Sequence, residues 1–145
     1  EEDYLSSCHA LAQEVGIADR FFWRGQIDRS EKINLLKEID VFAMPTPVPE
    51  AKGIPVIEAM AAGVPVVASA SGAFPELLGI HETAPAGDVH IPGDITDLAR
   101  CLEEMLWNET RAVDCGMAGH GRVKKQYQSH HMAAAHESLY EDVRR

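Results

Sequence analysis

Basic residues are in short supply: 13 Lys and Arg stand against 23 Asp and Glu, a formal net charge of −10. Nucleic-acid binders carry a basic patch and anionic membranes attract one, so neither is an expected partner. The acid surplus reads as a solvated surface, above all over the two acid-rich termini. Long hydrophobic runs are missing as well. No apolar stretch approaches the ~20 residues of a membrane span, and no basic-then-apolar segment opens the chain as a secretory signal would. Cysteine is sparse: Cys8, Cys101 and Cys115 lie far apart and make no Cys-x-x-Cys pair. Free thiols in a reducing cytosol are expected, rather than disulfides or zinc ligands. His130, His131 and His136 have no carboxylate or cysteine at ligand spacing, so no metal is expected there. Asp-x-Asp is absent, which disfavours a metal-dependent transferase. Neither an internal repeat nor a low-complexity segment is present.

What remains suits one globular domain spanning residues 1–145, with 46% hydrophobic residues. From Tyr4 to Glu14, apolar residues recur at helical spacing, and Gly16 is a suitable stop. Arg20-Phe21-Phe22-Trp23-Arg24 predicts a short strand ending at Gly25. Asp28 and Glu31 form a capping-box pattern before Ile33, Leu36 and Ile39 on one helical face. Val41 to Met44 is a continuous apolar run, as expected of a strand covered on both faces. Pro45, Pro47 and Pro49 forbid regular structure and stiffen a loop that carries Glu50. A nearly all-apolar helix is predicted over Pro55–Ala62, capped by Gly63, and a strand over Val64–Ala68. Short elements follow at Phe74–Leu78 and Asp88–Ile91. A helix capped by Asp94 or Thr96 comes next, then two helices broken around Tyr127-Gln128-Ser129. Strands alternating with helices imply a parallel sheet, and ligands of such sheets bind beyond the C-terminal strand ends. That rule places the loop after Met44 at the mouth of a site.

The stretch from Pro49 to Val67 carries the chemistry. Glu50 and Glu58 are separated by seven residues, and Gly53 and Pro55 between them are suited to opening a helix. Free N–H groups and the positive dipole end at a helix start favour an anion. Carboxylates on either side accept hydrogen bonds from hydroxyls, so the arrangement suits a sugar nucleotide. Gly53 permits close backbone approach and unusual φ. The N–H groups of Lys52, Gly53, Ile54 and Val56 are candidates for a diphosphate, and Lys52 adds charge nearby. The plain alternatives are a surface acid at Glu50, a first-turn charge–dipole contact at Glu58 and a solvated lysine at Lys52.

These residues resemble retaining glycosyltransferases of family 4, the glycosyl transferases group 1, whose GT-B fold pairs two Rossmann-like domains. The shared pattern is Glu-x7-Glu with a glycine three residues after the first Glu. An Ala-Met-Ala-Ala-Gly-x-Pro-Val-Val run follows, matched here by Ala59 to Val67. Looser likeness extends back to Phe22–Asp28 and forward through Ser71–Leu77 to Gly87–Asp94. The implied fold is α/β: a Rossmann-like parallel sheet flanked by helices, the C-terminal half of a GT-B fold, with extra C-terminal helices. The implied function is donor binding in a retaining enzyme that moves a sugar from a nucleotide sugar to an acceptor. The donor is a substrate, and no cofactor is expected. By the same resemblance Glu50 is catalytic, accepting hydrogen bonds from the hexose, and Glu58 accepts from the ribose. The base lies against Gly25-Gln26-Ile27, with Arg29 and Lys32 nearby, for which an exposed helix start is an equal alternative.

Two departures from the family pattern stand out. Pro55 sits where many relatives offer a further amide donor. The upstream basic pair that neutralises the leaving diphosphate is absent, as is the acceptor-binding N-terminal domain. The chain is therefore expected to be a truncated donor domain, inactive alone and partnered by the missing domain of its parent. A cytoplasmic location is expected, any membrane association belonging to the absent part. Two alternatives stay open: a GT-B-type sugar-nucleotide epimerase and a degenerate, non-catalytic nucleotide-sugar-binding module.

Overall fold

Caps and turn residues delimit the elements, and the structure, a computed structural model, describes residues 2–144. The chain divides into two compact units, residues 1–32 and 33–145. In the first, helix α1 (Glu2–Glu14) stops where expected, because Gly16 takes a left-handed φ of 75°. The N–H groups of Gly16 and Ile17 then reach back to the carbonyls of Gln13 and Ala12 at 3.2 and 2.9 Å, satisfying the helix end. The strand predicted at Arg20–Arg24 does not form. A 3-10 turn (Ala18–Arg20) gives way to irregular backbone, extended at Phe21, and Phe22 and Trp23 are exposed. A strand exists only as one side of a hydrogen-bonded ladder, and the three strands of the described sheet all lie later in the chain.

Helix α2 (Arg29–Glu38) crosses the boundary between the units. Its start is the expected reciprocal cap: Glu31 N–H donates to Asp28 Oδ1 at 2.8 Å and Asp28 N–H to Glu31 Oε2 at 2.9 Å.

The second unit alternates strand and helix: β1 (Phe42–Met44), α3 (Ile54–Ala61), β2 (Val66–Ser69), α4 (Phe74–Leu78), β3 (Gly87–His90) and α5 (Ile95–Trp107). The strands pair in parallel in the order β1-β2-β3, with Phe42 opposite Val66 and Val66 opposite Gly87. The expected α/β sheet is thus present. Every residue of β2 is buried. Its side chains alternate: Val66 and Ala68 pack with α3, α4 and Val123, whereas Val67 packs with Cys101, Met105 and Cys115. Both faces of β2 are therefore covered by helices. The matching expectation for β1 needs correction, since Ala43 is exposed. Within the described sheet β1 is an edge strand, and an apolar run does not distinguish an edge from a centre.

Helix α3 ends at a Schellman turn with Gly63 at φ 79°. The Val64 and Gly63 N–H groups donate to the Ala59 and Met60 carbonyls, each at 3.0 Å. Asp94 caps α5, accepting from Asp97 N–H at 3.0 Å. Helices α6 (Glu109–Gln126) and α7 (Ser129–Val143) are split at the expected place. Helix α6 lies hard against the end of α3. A Cβ on Gly116 would strike the Gly63 carbonyl oxygen, and one on Gly119 would come within 3.2 Å of Met60 Cγ. Arg111, near the start of α6, bonds Asp88 of β3 at 2.9 Å and Glu104 of α5 at 2.5 Å. No helix among the described residues is long and apolar enough to cross a membrane.

Candidate functional site

Two loops meet at the C-terminal edge of the parallel sheet, where such sheets bind ligands. One follows β1 and runs from Pro45 to Gly53. The other follows β2 and contains Ser71 and Gly72. Ala73 N–H donates to the Glu50 carbonyl at 2.9 Å, closing one loop on the other. Gly72 has a φ of 56°, and a Cβ there would collide with the Glu50 carbonyl oxygen. Only glycine fits both that backbone and that contact.

Gly53 is the N-cap of α3, with a left-handed φ of 59°. A Cβ there would lie 2.5 Å from Leu77 Cδ1 and 3.2 Å from Phe74 Cε1. Helix α4 thus forms the floor beneath the start of α3. Pro55 occupies the second helical position, one later than its usual favoured place, and Ile54 the first. The first bond of the helix runs from Ile57 N–H to the Gly53 carbonyl at 3.1 Å. Helix topology leaves the N–H groups of Ile54 and Val56 without intrahelical acceptors. Val56 is wholly buried, backbone as well as side chain, so its amide does not reach the surface in this arrangement.

Glu50 is half-buried and turns back on its own loop. Its Oε1 accepts from Lys52 N–H at 3.0 Å and Gly53 N–H at 3.4 Å. The Lys52 amide, then the Gly53 amide, holds the Glu50 carboxyl below the ordinary carboxylate range, against a smaller opposing effect of burial. The carboxylate occupies two of the amides expected to face a diphosphate. That occupancy shows the loop favouring negative charge, as a helix start does. It also means that a phosphate reaching those two amides must displace the carboxylate. Glu58 is half-buried and fifth in α3, so it lies past the first turn, where a charge–dipole contact is strongest. The plain first-turn alternative for Glu58 loses its footing there.

The structure therefore brings Glu50, Lys52, Gly53, Ile54, Val56 and Glu58 into one loop–helix segment of the second unit. Gly25, Ile27, Arg29 and Lys32 belong to the first unit. There Gly25 has a φ of 63°, Ile27 is half-buried, and Arg29 and Lys32 lie in the first turn of α2. No group of three or more His, Cys, Asp or Glu among the described residues could hold a metal ion. Sequence reading missed the buried pair Ser69 and His90 beneath the Glu50 loop; its one signal was a serine ending an apolar strand.

The same pattern recurs in known proteins. The glycosyl transferases group 1 family matches residues 1–122. A GDP-mannose-dependent monoacylated alpha-(1-6)-phosphatidylinositol monomannoside mannosyltransferase of Corynebacterium glutamicum is 33% identical over 131 residues, covering 86% of this chain and 32% of its own. A GDP-mannose-dependent alpha-(1-6)-phosphatidylinositol monomannoside mannosyltransferase of Mycobacterium tuberculosis is 34% identical over 137 residues, covering 90% and 35%. The chain thus spans about a third of the length of these curated relatives. Among solved structures, sucrose-phosphate synthase of Thermosynechococcus elongatus superposes with a TM-score of 0.82 at 29% identity, over 94% of this chain and 33% of that one. HepE of Anabaena, solved with UDP and glucose, has a TM-score of 0.84 at 23% identity over 97% and 37%, a likeness of fold. With the Glu50–Glu58 segment on a parallel sheet and the family pattern running through residue 122, the chain belongs to the glycosyl transferases group 1 family, in the GT-B fold.

Proposed function

We propose that this chain is the donor-binding part of a retaining glycosyltransferase, transferring a hexose from a nucleotide sugar to an acceptor. One observation carries the reading: an ionised Glu50 carboxylate already rests on the amides at the start of α3, and so marks an anion seat flanked by two acidic residues. In this reading the diphosphate takes over the Lys52 and Gly53 amides and adds that of Ile54; the Val56 amide, buried here, joins them only once the loop opens on binding. Glu50, released, accepts from the hexose hydroxyls, and Glu58 accepts from the ribose. The side chain of Lys52 adds charge beside the phosphates. The base-side assignment of Gly25, Ile27, Arg29 and Lys32 belongs to the same proposal and rests on the family pattern alone.

Charge builds on the departing diphosphate in the transition state, so amides fixed toward it lower the barrier. Departure and attack on one face of the sugar, without a covalent intermediate, belong to the same reading. Since the chain spans about a third of its curated relatives, the acceptor site and further cations are assigned to an acceptor-binding domain of the same protein.

A second reading, nucleotide-sugar binding without transfer, is favoured by Pro55, which offers no N–H at the second helical position. Calorimetry and turnover of the full-length protein with GDP-mannose and UDP-glucose separate the two. Glu58→Ala is expected to weaken nucleotide binding and Glu50→Ala chiefly to lower turnover. Each effect should be about 10- to 150-fold, the range for a hydrogen bond to a charged group. Wild-type affinity and rate in both variants would overturn the assignment. Binding without any turnover would select the second reading.

A further inference from the structure

Ser69 and His90 interrupt an otherwise apolar interior, at 0% and 2% exposure. They are register partners on β2 and β3, at the strand ends that face the Glu50 loop. Buried polar groups persist where they are bonded, and these two are. His90 Nδ1 lies 2.9 Å from the Ile91 carbonyl, which can only accept, so Nδ1 carries a hydrogen. Ser69 Oγ lies 2.6 Å from the Thr46 carbonyl and 3.3 Å from His90 Nε2. The hydroxyl has one hydrogen to give, and the nearer acceptor, Thr46, takes it; with Nδ1 protonated, Nε2 is an acceptor that competes for the same hydrogen from farther away. Beyond His90, Ile91 N–H donates to Asp97 Oδ2 at 2.8 Å, in the first turn of α5. A line of polar contacts therefore crosses the sheet edge from the β1 loop through β2 and β3 to α5.

Packing alone does not call for this line, since an alanine or valine at position 69 would continue the run Val66-Val67-Ala68. The serine stands where the strand meets the loop, and its target is four residues before Glu50. Pro47 and Pro49 fix φ twice within those four residues, so the segment transmits a displacement at Thr46 rather than absorbing it. Thr46 Oγ1 also bonds the Val48 carbonyl and N–H, at 3.1 and 3.2 Å. On its far side Glu50 is held by Ala73 N–H. The loop is pinned at both ends, and Ser69 is one of the pins.

We propose that Ser69 is a positioning residue for the Glu50 loop: its bond to the Thr46 carbonyl sets where the Glu50 carboxylate stands. The proposal rests on the donor-binding reading above, and its test separates the two. In the full-length protein, turnover is read as release of nucleoside diphosphate from GDP-mannose or UDP-glucose, whichever it uses. Ser69→Ala should lower kcat about three- to ten-fold, the worth of one neutral hydrogen bond, with donor affinity by calorimetry within about two-fold. Hydrogen exchange at the Lys52 and Gly53 amides, which the carboxylate shields, should quicken while β2 stays protected. Ser69→Thr supplies a second comparison should Ser69→Ala not fold: it keeps the hydroxyl and should retain most of the rate, whereas Ser69→Cys, a weaker donor, should not. A structural role alone would lower the Tm of the variants and leave kcat untouched. Unchanged kcat and unchanged amide exchange in Ser69→Ala, or equal kcat in Ser69→Thr and Ser69→Cys, overturns the positioning role while donor binding stands. Failure of the wild-type protein to bind either nucleotide sugar overturns the function and the inference with it.

Discussion

Adding one methyl group at Gly53 tests how the start of α3 is built. Two costs follow from the geometry. Alanine would have to hold a φ of 59°, a left-handed conformation that costs an L-residue ~1–2 kcal/mol. Its Cβ would also lie 2.5 Å from Leu77 Cδ1 and 3.2 Å from Phe74 Cε1. Both neighbours are buried, at 6% and 0% exposure, so neither side chain can swing away into water. Overpacking of this kind costs ~1–3 kcal/mol. The sum, about 2–5 kcal/mol, is a large share of the ~5–15 kcal/mol that a domain has. Urea unfolding of wild type and Gly53→Ala, with unchanged m-values, gives the difference directly. Leu77→Val removes the Cδ1 atom that the new Cβ meets. In that background Gly53→Ala should cost only the backbone part and the lesser Phe74 contact, so the pair should couple by most of the ~1–3 kcal/mol of overpacking. A loss below ~1 kcal/mol in the wild-type background, or an equal loss in both, would refute the account of Gly53 as a residue fixed by φ and by α4 together.

Two further outcomes are expected. The folded state lowers the Glu50 pKa, so the hold on the Lys52 and Gly53 amides adds stability above the unfolded carboxylate's range and loses it as pH falls through the folded value. Glu50→Gln should therefore lower the Tm near pH ~7 and converge with wild type as pH falls below the folded carboxyl's pKa; a gap that widens in acid would reverse the argument. Pro55→Val restores an N–H at the second position of α3 and should tighten nucleoside diphosphate binding by ~0.5–1.5 kcal/mol, partly offset by a looser helix start. Calorimetry with the bare nucleoside is the control, and an equal gain there would leave Pro55 a purely structural residue.

Much of this was legible along the chain because it is local. Gly16, Gly63, Asp28 with Glu31, and Asp94 act within a few residues of themselves, and each ends or starts a helix where its chemistry predicts. Pro55 located α3 to within one residue for the same reason. What was not legible depends on partners distant in sequence. Arg20–Arg24 has strand-like composition, yet strand formation is a relation to a neighbour. Val41–Met44 reads as fully covered, yet Ala43 is exposed at the sheet edge. The Ser69–His90 contact joins residues 21 apart and follows only from strand register. Glu50 shows a subtler limit. Its place in the loop after β1 was readable, but nothing in its spacing says that the carboxylate would bond its own backbone.

The close seating of α6 on the far end of α3 makes that short helix a lever with a fixed pivot. Eight residues at ~1.5 Å each give an arm of ~12 Å. A side chain forced in at Gly116 or Gly119 acts at the pivot, and a tilt of ~5° there swings the opposite end by ~1 Å. An error of ~1 Å in placing reacting groups can cost ~100-fold in rate. Damage to the proposed anion seat can therefore begin at two glycines on a helix whose sequence, read alone, gives no hint of chemistry.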